Sequence, residues 1–252
     1  MKLKLNNKII LITGVGKGIG KEILYKLLKE KNIIYAVTRN IHDLKKLKKR
    51  KNLFLFYGDI TKKEIKENIF KLAKKNKHVI NCLVNNAGIR QRKSFNFLTE
   101  SDLRFIFENN YFSVFNLTKK FLKQFKFKKN FGSIVNISSI VGELGFKELS
   151  GYAATKSAIN GFTKSLSDEL PKKKIRVNSI APGFIKSSYY NNFKKNRKNL
   201  YKWTLSRIPI AKWGENADVA DLTIFLLSEN SKYINGQIIK VDGGWSSTWK
   251  NS

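Results

Sequence analysis

Apolar residues along this 252-residue chain fall into two alternating patterns, short continuous runs and longer stretches in which they recur every three or four positions. Lys8-Ile-Ile-Leu-Ile-Thr13 is a β-branched run too short for a helix. Gly14-Val-Gly-Lys-Gly18-Ile-Gly20 follows it, and then the periodic segment from Lys21 to Glu30, which together predict strand, glycine turn and helix. Runs of the first kind near 8–13, 33–38, 53–57, 79–84, 132–138, 175–181 and 236–241 predict seven strands with helices between them. Alternation from end to end, without an internal repeat or a Gly/Ser-rich linker, predicts an α/β fold: a doubly wound parallel sheet of about seven strands, helices on both faces, one domain over 1–252.

Composition narrows the class. An apolar content of 42% suffices for a sizeable core. Cys82, the single cysteine, excludes an internal disulfide and sits in an apolar strand as a buried thiol, so the cytoplasm is the expected compartment. Met1-Lys-Leu-Lys leads straight into the glycine turn without a cleavage site, which argues against a signal peptide. No apolar stretch approaches the roughly 18 to 20 residues of a membrane span. His42 and His78 stand apart from Cys or carboxylate clusters, so no metal site is expected. The formal charge of +32 predicts non-specific attraction to polyanions. The lysines are scattered rather than gathered on one face, which speaks against specific nucleic-acid binding and leaves an acidic substrate or carrier open.

The glycine turn carries the first candidate chemistry. Gly14, Gly18 and Gly20 let a diphosphate approach the main chain, and the helix opening at Ile19 presents unpaired N–H groups to it. The second strand ends in Thr38-Arg39, where an acid would select the ribose hydroxyl of NAD. No carboxylate is there. Arg39 with Lys17 would instead hold the extra phosphate of NADP, which predicts NADPH in preference to NADH. Further along, Tyr152 and Lys156 are four residues apart on a predicted helix and share a face. A phenol needs roughly 3 kcal/mol of help to exchange a proton near neutral pH, and an ammonium about 5 Å away supplies that order of energy. An exposed lysine beside a half-buried tyrosine is the plain structural alternative.

Asn85-Asn-Ala-Gly88, Asp59, Ile134 to Ser139, Tyr152 to Lys156, Arg176 to Gly183 and Val241-Asp-Gly-Gly244 then follow in register, so that the chain from about residue 6 to 246 resembles the short-chain dehydrogenase/reductase family. The resemblance implies a Rossmann-type fold and a set of roles. Tyr152 is implied as proton donor to a substrate carbonyl, Lys156 as the cation that acidifies it and bonds the nicotinamide ribose, and Ser139 as the hydroxyl that orients the carbonyl. Asn110 aligns with the asparagine that holds a water beside the lysine, with Asn109 one residue away as the competing register. Asp59 would bond the adenine amino group, against simple capping before Lys62. Asn86, Ala87 and Gly88 would line the cofactor, as would Pro182, Gly183, Ile185 and Ser187, the last keeping the hydroxyl of the commoner threonine.

For substrate the resemblance divides. 3-Oxoacyl-carrier-protein reductases are similar in general pattern, with Lys128, Lys129 and Lys172 to Lys174 expected to flank the site and attract an acidic carrier, although Asn130 replaces an expected arginine. Ile89-Arg90-Gln-Arg92 and Asp242-Gly-Gly-Trp245 look instead like sugar-acid and polyol dehydrogenases, in which Arg90 or Arg92 would hold a carboxylate. Residues 186–213, with Tyr189, Tyr190, Phe193, Tyr201 and Trp203, are expected to form a substrate lid or an ordinary aromatic helix pair. A nucleotide-binding regulatory protein without turnover is the reading from another class, and the intact Ser139, Tyr152 and Lys156 oppose it. The resemblance also implies a homodimer or homotetramer through helices around 101–128 and 151–173, with Phe121, Phe125 and Phe127 as contact or core residues.

Overall fold

In the computed structural model the seven apolar runs form β1 (Ile9–Thr13), β2 (Ile33–Thr38), β3 (Leu53–Tyr57), β4 (Cys82–Asn85), β5 (Gly132–Ile137), β6 (Ile175–Pro182) and β7 (Ile238–Val241). The helices are α1 (Gly18–Leu27), α2 (Lys63–Lys75), α3 (Glu100–Phe107), α4 (Ser113–Gln124), α5 (Ser150–Glu169), α6 (Tyr190–Asn196), α7 (Lys198–Arg207) and α8 (Asn216–Leu227). The structure describes residues 5–40, 44, 47, 50–124, 131–170, 174–187 and 190–247, except the side chain of Asn192. His42, Phe125, Phe127, Lys128, Lys129, Asn130, Lys172, Lys173 and Tyr189 lie outside the described residues.

All pairings are parallel, in the order β3-β2-β1-β4-β5-β6-β7. The chain winds outward from β1 to β3, then returns to set β4 against the other side of β1. That reversal opens a crevice at the carboxyl ends of β1 and β4, the place where open α/β sheets take their ligands. Both sheet faces are covered, which is why the central strands read as continuous apolar runs. Alternate residues serve alternate faces: Ile10 and Ile12 pack with Ile23 and Leu27 of α1 and Val219 and Ile224 of α8. Leu11 packs on the other side with Ile69 of α2, Phe121 of α4 and Leu166 of α5. Phe121 is thus core, not contact face. β4 starts at Cys82, later than its apolar run, because the Asn81 side chain accepts the Ile9 N–H and the Ile80 N–H bonds Gln124.

A polar ladder crosses the buried centre. Asn85 donates to Asn136 at 2.8 Å, and Asn136 donates to Thr163 at 2.9 Å, so the amides link β4 to β5 and β5 to α5. The two strands carrying the crevice wall are thereby held in one register.

Lys174 corrects one expectation. It precedes β6, and its carbonyl accepts the Gly132 N–H at the start of β5, so it stands at the amino end of the sheet, opposite the crevice.

Candidate active site

Thr13 ends β1 and ties the glycine turn to the next strand. Its Oγ1 accepts the N–H groups of Asn86 (3.1 Å) and Ala87 (3.0 Å), while the Asn86 amide donates back to the carbonyls of Thr13 and Gly14 at 3.0 Å each. The loops after β1 and β4 are therefore one rigid wall. Side chains have been kept off it: a methyl on Gly20 would stand 2.2 Å from the Gly14 carbonyl oxygen, and Gly14 itself has φ of +72°. The entry to α1 has no side-chain cap and no acidic residue in its first turn, in contrast to α3, where Thr99 and Asp102 form a reciprocal capping box. Its first N–H groups are thus left for an anion other than a side chain.

Two cavities open from this wall. One, of about 570 Å³, is lined by Gly14, Lys17, Thr38, Arg39, Asp59 and Asn109 among others. The second, of about 310 Å³, is lined by Ser139, Tyr152, Lys156, Pro182, Gly183 and Arg90, with Phe146, Leu149 and Phe184 as apolar walls. Ile19, Asn86, Gly88, Ile89 and Ser187 belong to both, so the two are lobes of a single cleft, long enough for a dinucleotide with its ends in different environments. Ser187 Oγ is buried at that junction with no hydrogen-bond partner among the described residues, as a hydroxyl awaiting a bound group would be. Bare glycine backbone and this orphaned hydroxyl fit a dinucleotide cofactor.

In the smaller lobe, Ser139 lies two residues past the end of β5 and its Oγ accepts the Val141 N–H at 3.2 Å, which leaves the hydroxyl proton to donate. Tyr152 and Lys156 lie on one face of α5, with the Lys156 Nζ 5.7 Å from the tyrosine ring centre. That ammonium is buried and donates to the Ile137 carbonyl at 2.8 Å. Asn110 sits in a widened turn, Glu108–Phe112, between α3 and α4, a local irregularity often found at functional sites. Its amide brackets Ile89, accepting from the N–H (2.8 Å) and donating to the carbonyl (2.9 Å). Asn109 turns away, donates to Phe105 and borders the larger lobe. A methyl on Gly88 would be 3.1 Å from Asn110 Oδ1 and 3.8 Å from Lys156 Nζ, so of the two asparagines it is Asn110 that faces the lysine.

A model of the short chain dehydrogenase family matches residues 8–198. The chain belongs to that family. This short-chain dehydrogenase is 35% identical over 245 residues to the 3-oxoacyl-[acyl-carrier-protein] reductase FabG of Buchnera aphidicola subsp. Schizaphis graminum, covering 96% of this chain and 98% of that one. To FabG of Thermotoga maritima it is 34% identical over 248 residues, covering 96% and 99%. Among solved structures, 4-hydroxyisoleucine dehydrogenase complexed with NADH superposes with a TM-score of 0.90 at 30% identity, over 96% of this chain and 100% of that one. A putative gluconate dehydrogenase from Agrobacterium tumefaciens gives 0.90 at 25% identity over 98% of both. The short-chain dehydrogenase is an NAD(P)-dependent oxidoreductase acting on CH–OH groups, with a nicotinamide cofactor. No described helix is long and apolar enough to cross a membrane.

Other expected site residues are placed less simply. Arg92 does not line the cleft; it pairs with Glu148 at 3.3 Å. Its neighbours Gln91 and Lys93 both bind Asp102, so the loop is fastened on two sides while Arg90 borders the smaller lobe. Asp59 Oδ1 accepts the Thr61 N–H at 2.9 Å, a local turn rather than the cap of α2, and the residue also lines the larger lobe. Trp203 is 45% exposed and packs edge-on against Trp245 with Arg207 over both rings, away from the cleft. Tyr190, Phe193 and Tyr201 gather round the buried Trp213, in the same apolar cluster as Val141, Leu149, Phe146 and Phe184 that wall the smaller lobe. Phe146 and Phe184, which do wall the smaller lobe, carry no sequence signal, because their direction is set by contact with Trp245. Thr155, which accepts from Asn110 at 3.1 Å, was hidden within the Tyr-to-Lys spacing.

Burial pushes the Lys156 ammonium down to about 8. Where that charge serves to favour negative charge on the neighbouring phenol, the protonated form is the active one. As pH rises through about 8 that form is lost, and kcat/KM for carbonyl reduction is expected to fall toward a slope of −1 on a logarithmic plot. A profile flat from pH 7 to 10 would contradict the role.

Proposed function

We propose that this dehydrogenase reduces 3-oxoacyl thioesters, as carried by an acyl carrier protein, with NADPH as the preferred donor. The observation that carries the reading is the smaller lobe itself, in which Ser139, Tyr152 and Lys156 are faced by Ile140, Val141, Phe146, Leu149 and Phe184, a wall suited to an acyl chain. The names of the curated relatives support it.

When bound, the nicotinamide supplies the hydride. Ser139 Oγ donates to the carbonyl oxygen and polarises it where negative charge develops. Tyr152 gives its phenolic proton to that oxygen as the charge appears. Lys156 offsets the negative charge left on the phenol, and Asn110, fixed to Ile89, holds the approach to Lys156 for the returning proton. Ile185, Ser187, Pro182 and Gly183 hold the nicotinamide end, and Asn86, Ala87 and Gly88 line the ribose between. Asp59 with Thr38 takes the adenosine, and Gly14, Gly18, Ile19 and Gly20 take the diphosphate. Residues 186–213 close over the smaller lobe and exclude water. The protein self-associates through the face on which Phe112 and Phe115 of the α3–α4 region are exposed.

NADPH preference rests on Arg39 and Lys17, both exposed on the larger lobe with no acid at the end of β2. Arg39→Asp is expected to move the NADPH-to-NADH ratio of kcat/KM by about 100-fold toward NADH. An unchanged ratio would remove the argument.

One observation favours a second reading: Arg90 at the smaller lobe suits the carboxylate of a sugar acid. Initial rates with a panel of 3-oxoacyl thioesters and keto-sugar acids separate the two. Turnover of thioesters alone supports the first, and turnover of keto acids alone overturns it.

A further inference from the structure

Lys66 occupies a position where the period of α2 asks for an apolar residue, since 66, 69 and 73 form its buried stripe and the other two are Ile and Ala. Only 4% of Lys66 is exposed. An ammonium withdrawn from water needs acceptors or an opposite charge, and without them an apolar residue would serve the stripe better. The acceptors are specific: Nζ donates to the carbonyls of Ile60 at 2.8 Å and Thr61 at 2.7 Å. Both belong to the turn that begins at Asp59, in which the Thr61 N–H bonds the Asp59 carboxylate and the Lys62 N–H bonds the Asp59 carbonyl at 3.0 Å. Asp59 and Ile60 line the larger lobe, and so does Asn109, next to Glu108, whose charge acts on the same ammonium.

We propose that Lys66 is a positioning residue for the adenine half of the bound dinucleotide, pinning two carbonyls of the 59–61 turn so that Asp59 stays directed into the lobe. It acts through the turn and does not itself line the cavity. Relative to an apolar residue it adds nothing to the stripe, so what it contributes is the fixed turn. The proposal rests on the cofactor assignment above and concerns binding, not the reaction.

The test is titration calorimetry of the full chain with NADPH and with its adenine-bearing half, 2′-phospho-ADP-ribose, together with kcat at saturating cofactor. In Lys66→Met both dissociation constants are expected to rise about tenfold, the order of one lost charge-assisted hydrogen bond, with kcat within twofold of wild type. Lys66→Arg, which keeps the charge and the donors, is expected to recover most of the loss. Unchanged affinity for the adenine-bearing half in Lys66→Met overturns the proposal, and so does a fall in kcat without weaker binding. If Lys66→Met does not fold, Lys66→Gln gives the same readout. Wild-type protein that binds dinucleotide while the variants match it refutes this role alone; wild-type protein that binds no dinucleotide refutes the cofactor reading beneath it.

Discussion

Replacing Tyr152 by Phe is expected to lower kcat/KM for carbonyl reduction by about a thousandfold while leaving dinucleotide affinity within about twofold, the general-acid contribution being lost and the ring retained. Geometry makes the substitution clean. Tyr152 is partly exposed on the smaller lobe, at the end of the cleft away from Lys17 and Arg39, and Lys156 keeps its bond to Ile137 without it. Stopped-flow measurement of NADPH oxidation gives the rate and fluorescence titration gives the affinity. A variant with wild-type turnover would show that the proton comes from elsewhere. Loss of affinity together with rate would show that the ring, not the hydroxyl, is what matters.

Gly20→Ala is expected to weaken dinucleotide binding by about 100-fold or more, because a methyl 2.2 Å from the Gly14 carbonyl forces the loop to move by roughly 1 Å. The same methyl would lie 2.4 Å from the Asn86 amide, so the wall between β1 and β4 shifts as a unit. Gly161→Ala is the matched control. Gly161 lies in α5 with nothing within 4 Å of an added methyl, so the change is expected to add about 0.5 to 1 kcal/mol of stability and leave binding alone. Thermal melting with and without NADPH reads both effects. Wild-type affinity in Gly20→Ala would mean that the diphosphate does not lie on this loop.

Much of this arrangement was legible in the chain because it depends on local rules. The strand runs, the glycine turn after β1 and the four-residue interval between Tyr152 and Lys156 each express a period or a backbone need that no distant contact has to supply. Sequence narrows the asparagine to two neighbouring residues, and the widened turn at Glu108–Phe112 separates them, with Asn109 at the border of the larger lobe and Asn110 bonded to Ile89. Directions fixed by tertiary contact were not legible. Trp203 reads like Tyr201 in sequence, yet Arg207 and Trp245 hold it outside while Trp213 draws Tyr201 inward. Arg90 and Arg92 are equivalent as letters, and the pairing of Arg92 with Glu148 tells them apart. Lys174 reads in sequence as a neighbour of the site, but proximity in the chain says nothing about which end of a parallel sheet a loop joins. Lys66 was invisible for a simpler reason: a lysine in a lysine-rich helix looks solvated until the turn it holds is seen.

The return of the chain from β3 to β4 has a bearing on how the protein comes to be folded. Ile10 pairs with Cys82, so the two-sided nucleotide wall is not complete until β4 has been synthesised, and Ser187 completes the cleft later still. A nascent chain gains nothing from the cellular dinucleotide pool until that late docking step, but the finished molecule does. At a free concentration 100 times its dissociation constant, a ligand that binds only the native state adds about 2.7 kcal/mol, a sizeable fraction of a typical domain's net stability. The longevity of this enzyme in a cell is therefore coupled to the supply of its own cofactor.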